Sequence, residues 1–162
     1  MEYRIEQAVR EDLPRIEEIY AMARKFMAEN GNPSQWGSSH PPVEQLKKDI
    51  ADKRLYLVKD RDTVHGVFYF CVEDDPTYAQ IFGGEWLSSQ RYGVIHRIAS
   101  DGSGGILKAA VEFGRGQINY LRIDTHEDNR VMQKCLEKLE FQKRGIIYIA
   151  DGTPRLAYDR LA

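Results

Sequence analysis

Residue types and spacing speak most directly of chemistry in the stretch Ser100-Asp101-Gly102-Ser103-Gly104-Gly105-Ile106. Glycines let a backbone approach a ligand closely, and a helix opening near Ile106 would leave its first N–H groups without intrahelical partners. Such a turn cradles an anion, phosphate above all, with the helix dipole adding ~0.3–1 kcal/mol per exposed interaction. A ligand-free glycine turn has the same composition, and the loop by itself leaves the two readings level. Neither GxxxxGK[ST] nor GxGxxG occurs, which weighs against nucleotide hydrolysis and Rossmann binding. Cys71 and Cys135 sit in apolar stretches without CxxC spacing. Neither a zinc finger nor a disulfide framework is expected, no metal is expected, and a reducing cytoplasm is the expected location. Trp36, in the polar run Asn32-Pro33-Ser34-Gln35-Trp36-Gly37, should find burial against the protein or a ligand. The charge runs Glu17-Glu18 and Lys47-Lys48-Asp49 read as solvated faces.

The elements that must position these residues follow from periodicity. Residues 3–8 alternate as a half-buried strand does. Asp12 and Pro14 then suit a helix start, followed by apolar residues at helical spacing from Leu13 to Met27. Residues 30–42 read as loop, and a short helix opens at Val43 with Leu46 and Ile50 inward. Strands over 54–59 and 64–73 form a hairpin around Asp60-Arg61-Asp62. A strand over 92–100, the glycine loop, a helix from Ile106 and a strand over 120–125 imply a right-handed parallel unit in an otherwise antiparallel sheet. A helix opened by Asp128 or Asn129 and two last strands, 145–150 and 155–161, close the order β-α-α-β-β-β-α-β-α-β-β. At 162 residues the chain is expected to form one domain, 1–162, able to bury about 70% of its unfolded surface. A net charge of −2 disfavours a nucleic-acid partner. No apolar run nears the roughly 18–20 residues of a membrane span, and the first residues lack a signal-type apolar core.

This order, the loop at 100–106 and the helix start at Asn129 resemble the GNAT superfamily of CoA-dependent N-acetyltransferases over nearly the whole chain. His96-Arg97-Ile98-Ala99-Ser100, Leu121 through Asn129, and Gly145-Ile146-Ile147-Tyr148 with Asp151-Gly152-Thr153-Pro154-Arg155 look like a bacterial branch of it. Asn129 to Phe141 is similar to the family pattern NxxAxxLYEKLGF, with Met132 at the small-residue position and Leu136 where the family often has tyrosine. The resemblance implies a mostly antiparallel α/β sheet of about seven strands flanked by helices. Strands 92–100 and 120–125 would splay apart and receive the pantetheine arm of acetyl-CoA. Main-chain groups of His96, Arg97, Ile98, Ala99 and Ser100 would bind that arm as an added strand does. The amides of Gly102, Ser103, Gly104, Gly105 and Ile106 would meet the pyrophosphate, and Asn129 the arm near the thioester. The loop is shorter than the family's [RQ]xxGxG[AG], with Gly102 where Arg or Gln stands.

The activity so implied is direct transfer of an acetyl group to a primary amine of a small molecule or peptide in a ternary complex. His96, whose ordinary pKa of about 6.5 suits proton acceptance, is the expected base, and the alternative is a core histidine held by a backbone carbonyl. Tyr148, expected at the border of the acceptor pocket, stands in as acid; ordinary strand packing is its other reading. Gln35, Trp36, Glu85, Asp124 and His126 are the expected acceptor-side residues, with Asp124 alternatively ion-paired to Arg97 or Arg122. Leu136 and the short loop also motivate a second reading, a catalytically degenerate acyl-CoA-binding regulatory module. Homodimers are compatible with the family, and the residues themselves are silent on them.

Overall fold

The structure, a computed structural model, describes residues 2–161. Seven strands form one sheet in the order β1 (Arg4–Gln7), β2 (Leu55–Asp60), β3 (Thr63–Cys71), β4 (Gly93–Ser100), β5 (Tyr120–Thr125), β7 (Pro154–Leu161), β6 (Gln142–Tyr148). Every neighbouring pair is antiparallel except β4 and β5. The expected parallel unit is therefore present, with α3 (Ile106–Gln117) as its crossover. The last hairpin begins earlier than its periodicity predicts. Glu140 takes the left-handed backbone position (φ 68°) that ends α4 (Arg130–Lys138), and Phe141 is buried at once, so β6 is already under way at Gln142.

Two layers cover the sheet. On one face α3 and α4 bury Ile106, Ala110, Val111 and Leu136 against Phe68, Phe70, Ile95, Leu121 and Ile123. On the other, α1 (Leu13–Glu29) and α2 (Val43–Ala51) bury Ile16, Ile19, Tyr20, Leu46 and Ile50 against Leu55, Leu57, Val67 and Ala99. Pro14 opens α1 as expected, but Asp12 offers it no side-chain cap, because its carboxylate accepts from Val9 N–H at 2.9 Å. The rest of that face is covered by the connection 72–92, which runs as a strap from β3 across β4, β5 and β7 to β6. Tyr78 and Tyr92 of the strap are buried with Val94, Tyr120, Ile147 and Ala157. Trp86 and Tyr92 lie over the Arg122 guanidinium at 4.2 and 4.0 Å, and Phe82 exchanges hydrogen bonds with Ile146 at the far edge. No described helix is long and apolar enough to cross a membrane.

Candidate active site

Two irregularities in β4 build the site. Parallel pairing with β5 is confined to Gly93 with Leu121 and Val94 with Arg122, after which the two strands part and leave a fork. Against β3, Val67 pairs with Ala99 but Tyr69 with His96, so Phe68 stands opposite both Arg97 and Ile98. That is a β-bulge, and Arg97 occupies it with φ 48°. A regular strand would send consecutive residues to opposite faces. The bulge instead brings His96 and Arg97 to the same side, where His96 meets the strap and Arg97 meets α2. Strain at Arg97 is held by its neighbours. The guanidinium is bonded to Asp49 through Nε at 2.8 Å and Nη2 at 3.1 Å, and Tyr20 Oη donates to the Arg97 carbonyl at 2.6 Å. Asp49, read from its charge run as a solvated residue, has a side chain only 3% exposed.

A cleft of about 720 Å³ opens along the fork on this side. Ile95, Ile98, Ile123 and Met132 give it apolar walls, and Trp36 and His40, their rings 6.3 Å apart, line it as well. Trp36 packs edgewise on Tyr20 (5.5 Å), the burial against the protein that was one of its two expected fates, and it also lines the cleft. Gln35, Arg97, Asp124 and Asn129 also line it. Asp124 pairs with neither Arg97 nor Arg122; it accepts from Tyr78 Oη at 2.6 Å and lies 3.7 Å from His96 Nδ1. Burial and the adjacent Asp124 charge raise the Tyr78 phenol well above its ordinary range.

His96 is the centre of this arrangement. Its Nε2 lies 2.6 Å from Asp75 Oδ2, while Asp75 Oδ1 accepts from Thr77 N–H and Oγ1–H at 2.9 and 2.7 Å. Burial pushes the Asp75 carboxyl up, but the hydrogen bonds from His96 and Thr77 outweigh it and bring it down to about 2. Asp75 is thus ionised and purely an acceptor at neutral pH, so His96 Nε2–H donates to it, and in the neutral ring Nδ1 is the nitrogen with the free lone pair. With the ring neutral, Nδ1 and the Asp124 carboxylate are two acceptors 3.7 Å apart. Asp75 and Tyr78 escaped the sequence reading because they lie in a connection without periodicity; the one local signal is Asp75-Pro76-Thr77, an acidic cap before a proline turn.

Three expected residues are elsewhere. Tyr148 is on β6, separated from the fork by β7, where its ring meets Phe82 and stays 48% exposed. It does not line the cleft. Glu85 is exposed on the strap. His126 turns into the loop after β5, where Nδ1 accepts from Asp128 N–H at 3.0 Å. Neither lines the cleft.

Beyond the fork, the glycine loop is partly self-satisfied. Gly102 N–H donates to Ser100 Oγ and Ser103 N–H to Asp101 Oδ1. The Asp101 carboxylate is itself held by His65 Nδ1 at 2.8 Å and Arg15 Nη2 at 3.3 Å. Gly105 caps α3 with φ 82°, and the N–H groups of Gly104, Gly105 and Ile106 donate to no partner among the described residues. Asn129 caps α4 through Met132 N–H and donates one amide hydrogen to Gln35 Oε1, which leaves its second amide hydrogen unused. An unpaired strand edge leading to free amides at a helix start fits an extended polar arm that ends in a pyrophosphate. Among the described residues, no group of three or more His, Cys, Asp or Glu side chains is arranged to hold a metal ion.

The fold recurs in solved structures. No protein-family model matches the chain, and no curated protein matches it in sequence. A GNAT-family acetyltransferase from Streptococcus agalactiae is 27% identical and superposes with a TM-score of 0.87 over 99% of this chain and 95% of that one. This likeness supports membership of the GNAT superfamily. A GNAT acetyltransferase from Listeria monocytogenes, 16% identical with a TM-score of 0.72, covers 100% of this chain and 96% of its own and shares the fold. So does one from Bacillus cereus, at 17% identity and a TM-score of 0.63 over 99% and 98%. Against the GNAT pattern, Leu136 is fully buried on α4 at the position where a tyrosine often stands, so it supplies core packing and no proton.

Proposed function

We propose that this chain is an N-acetyltransferase that moves an acetyl group from acetyl-CoA to a primary amine by direct attack. The observation that carries the reading is the pair of acceptors, His96 Nδ1 and Asp124 Oδ1, at 3.7 Å beside the open fork. A primary ammonium has three donors and a positive charge, and suits a site of this kind better than a hydroxyl does. Acetyl-CoA, when bound, supplies the acyl group as an activated thioester. The unpaired edge of β4 from His96 to Ser100 would hold its arm, the amides of Gly104 to Ile106 its pyrophosphate, and Asn129 the region near the thioester.

The free pKa of an alkylamine lies near ~10, so the amine arrives charged and must lose a proton before it can attack. His96 Nδ1 accepts that proton. The Asp75 carboxylate stabilises the resulting imidazolium through Nε2–H, and Asp124 balances the charge from the other side. As the N–C bond forms and the C–S bond breaks, the electron pair goes to sulfur. A thiol has a pKa of about 8.5, so thiolate leaves near neutrality without a dedicated acid, and the proton on His96 can follow it. The absence of a helix tyrosine at Leu136 is therefore compatible with turnover, and the degenerate-module reading loses its main motive.

The test is release of CoA thiol over a panel of amines. His96→Ala is expected to lower kcat at least tenfold while acetyl-CoA titrates as in the parent protein. An unchanged kcat at saturating substrate removes His96 from the mechanism. Binding of acetyl-CoA without turnover on any amine returns the regulatory module.

A further inference from the structure

On the β7 side of the cleft, the wall carries a cation that the transfer mechanism does not use. Arg155, the second residue of β7, is 7% exposed and lines the cleft. Its Nη1 donates to Thr153 Oγ1 at 3.1 Å and to the Pro154 carbonyl at 2.8 Å, while Nε and Nη2 have no hydrogen-bond partner among the described residues. No carboxylate among the described residues is in ion-pair contact with it. The other guanidinium in the cleft, Arg97, is already neutralised by Asp49. A nearly buried guanidinium with no carboxylate in contact is costly unless an anion completes it, and its planar fork matches a carboxylate. His40, in the same wall, is lowered from the ordinary histidine value by desolvation and by the charges of Arg97, Arg155 and Arg24, so this side of the cleft has a positive field. Asp151, exposed on the neighbouring turn, lies within that field without contacting the guanidinium.

The two sides are in register. Asp124 on β5 pairs with Ala157 on β7, and Arg155 is two residues along from Ala157 on the same face. At about 3.3 Å rise per residue and 4.8 Å between strands, the Cα atoms of Asp124 and Arg155 are roughly 8 Å apart. The cleft therefore presents acceptors for a cation and donors for an anion within the span of one small molecule.

We propose that the acceptor is an amino acid, its ammonium between His96 and Asp124 and its carboxylate on Arg155. This rests on the acetyl-transfer reading for the first half and on Arg155 for the second. The selectivity it demands is for a zwitterion over the amine that lacks the carboxylate. A site built around a buried donor set rejects the analogue that leaves those donors unpaired.

The experiment pairs amino acids with their decarboxylated amines: glycine with methylamine, β-alanine with ethylamine, phenylalanine with phenethylamine, lysine with cadaverine. Each is titrated calorimetrically against the full chain and assayed for CoA-thiol release with acetyl-CoA. At least one amino acid is expected to bind tenfold or more tightly than its amine. Arg155→Gln should collapse that ratio at least tenfold, and Arg155→Lys should restore part of it. A merely structural Arg155 would weaken both members of a pair and leave the ratio unmoved, which overturns the proposal. Equal binding within every pair, or binding of neither class, overturns it without any variant. Preferential binding of an amino acid that Arg155→Gln abolishes, with no thiol released, upholds the anion site and sinks the acetyl-transfer reading instead.

Discussion

Asp75 fixes which nitrogen of His96 carries the proton, and a substitution can reverse that choice. In Asp75→Asn the oxygen must stay toward Thr77, whose N–H and Oγ1–H both donate to Oδ1. The new NH₂ then faces His96 Nε2 and donates to it, which drives the histidine proton to Nδ1 and removes the lone pair that takes the amine proton. We expect Asp75→Asn to lower kcat/KM by about 100-fold or more, and Asp75→Ala, which leaves the ring free to choose its tautomer, to do less harm. Equal activity of Asp75→Asn and the parent protein would dismiss the tautomer argument. The same carboxylate links stability to acid. Because its folded-state pKa is depressed to about 2, it contributes stability above the unfolded value near 4 and loses it as pH falls from there through about 2. The parent protein should shed roughly 2 kcal/mol in that window by urea denaturation at stepped pH, a loss that Asp75→Asn lacks. His96 was legible in the sequence because a titratable ring interrupts an apolar strand. Asp75 was not, since it lies 21 positions before the ring it holds, across a largely irregular connection.

Among the elements, β4 decides the geometry, and its bulge depends on α2. Asp49 binds Arg97 through both carboxylate oxygens and also accepts from Gln45 Nε2 at 2.8 Å. Truncating it leaves a largely desolvated guanidinium beside the strained backbone at Arg97. Asp49→Ala is expected to cost about 3 kcal/mol in denaturant melts, as loss of one partner from a buried ion pair does. The bulge should relax at the same time and weaken acetyl-CoA at least tenfold by titration. Retained acetyl-CoA affinity despite the lost stability would mean that the fork forms without this pin. The sequence showed that a strand runs over this segment and that a helix follows a glycine loop, because period and composition mark both. It could not show the bulge. A positive φ at an arginine has no compositional mark, and Asp49, third in a run of charges, reads as a solvated residue until α2 is laid against β4.

For the molecule as a whole, the strap 72–92 joins the site to the far edge of the sheet. One end carries Asp75 and Tyr78; the other pairs Phe82 with Ile146 and so covers the β6 edge, which would otherwise be open to pairing. Between them, Trp86 Nε1 donates to the Tyr78 carbonyl at 3.0 Å, Leu87 N–H to buried Asp159 at 2.8 Å, and Arg122 Nη2 to the Ser88 carbonyl at 2.8 Å. The succession of elements along the chain and the crossover between β4 and β5 were legible from alternation and spacing, but these cross-sheet ties join residues far apart in sequence and exist only once all seven strands are assembled. The close approach at Gly84 tests whether the strap acts as a unit. A Cβ there would overlap the Arg144 carbonyl oxygen, and backbone on both sides leaves no flexible side chain to yield. Gly84→Ala should lift the strap from β6, so that the amides of Phe82 and Ile146 exchange hydrogen faster. Tyr78 loses the support of Trp86, the Asp124 end of the acceptor pair loosens, and kcat falls about tenfold with acetyl-CoA affinity kept, because Phe82 and Gly84 sit against β6, two strands from the fork. Fast exchange at Phe82 and Ile146 with kcat unchanged would show that the site end of the strap stands on its own contacts, Asp75 N–H to Tyr92 Oη and Tyr78 Oη to Asp124, without help from the edge.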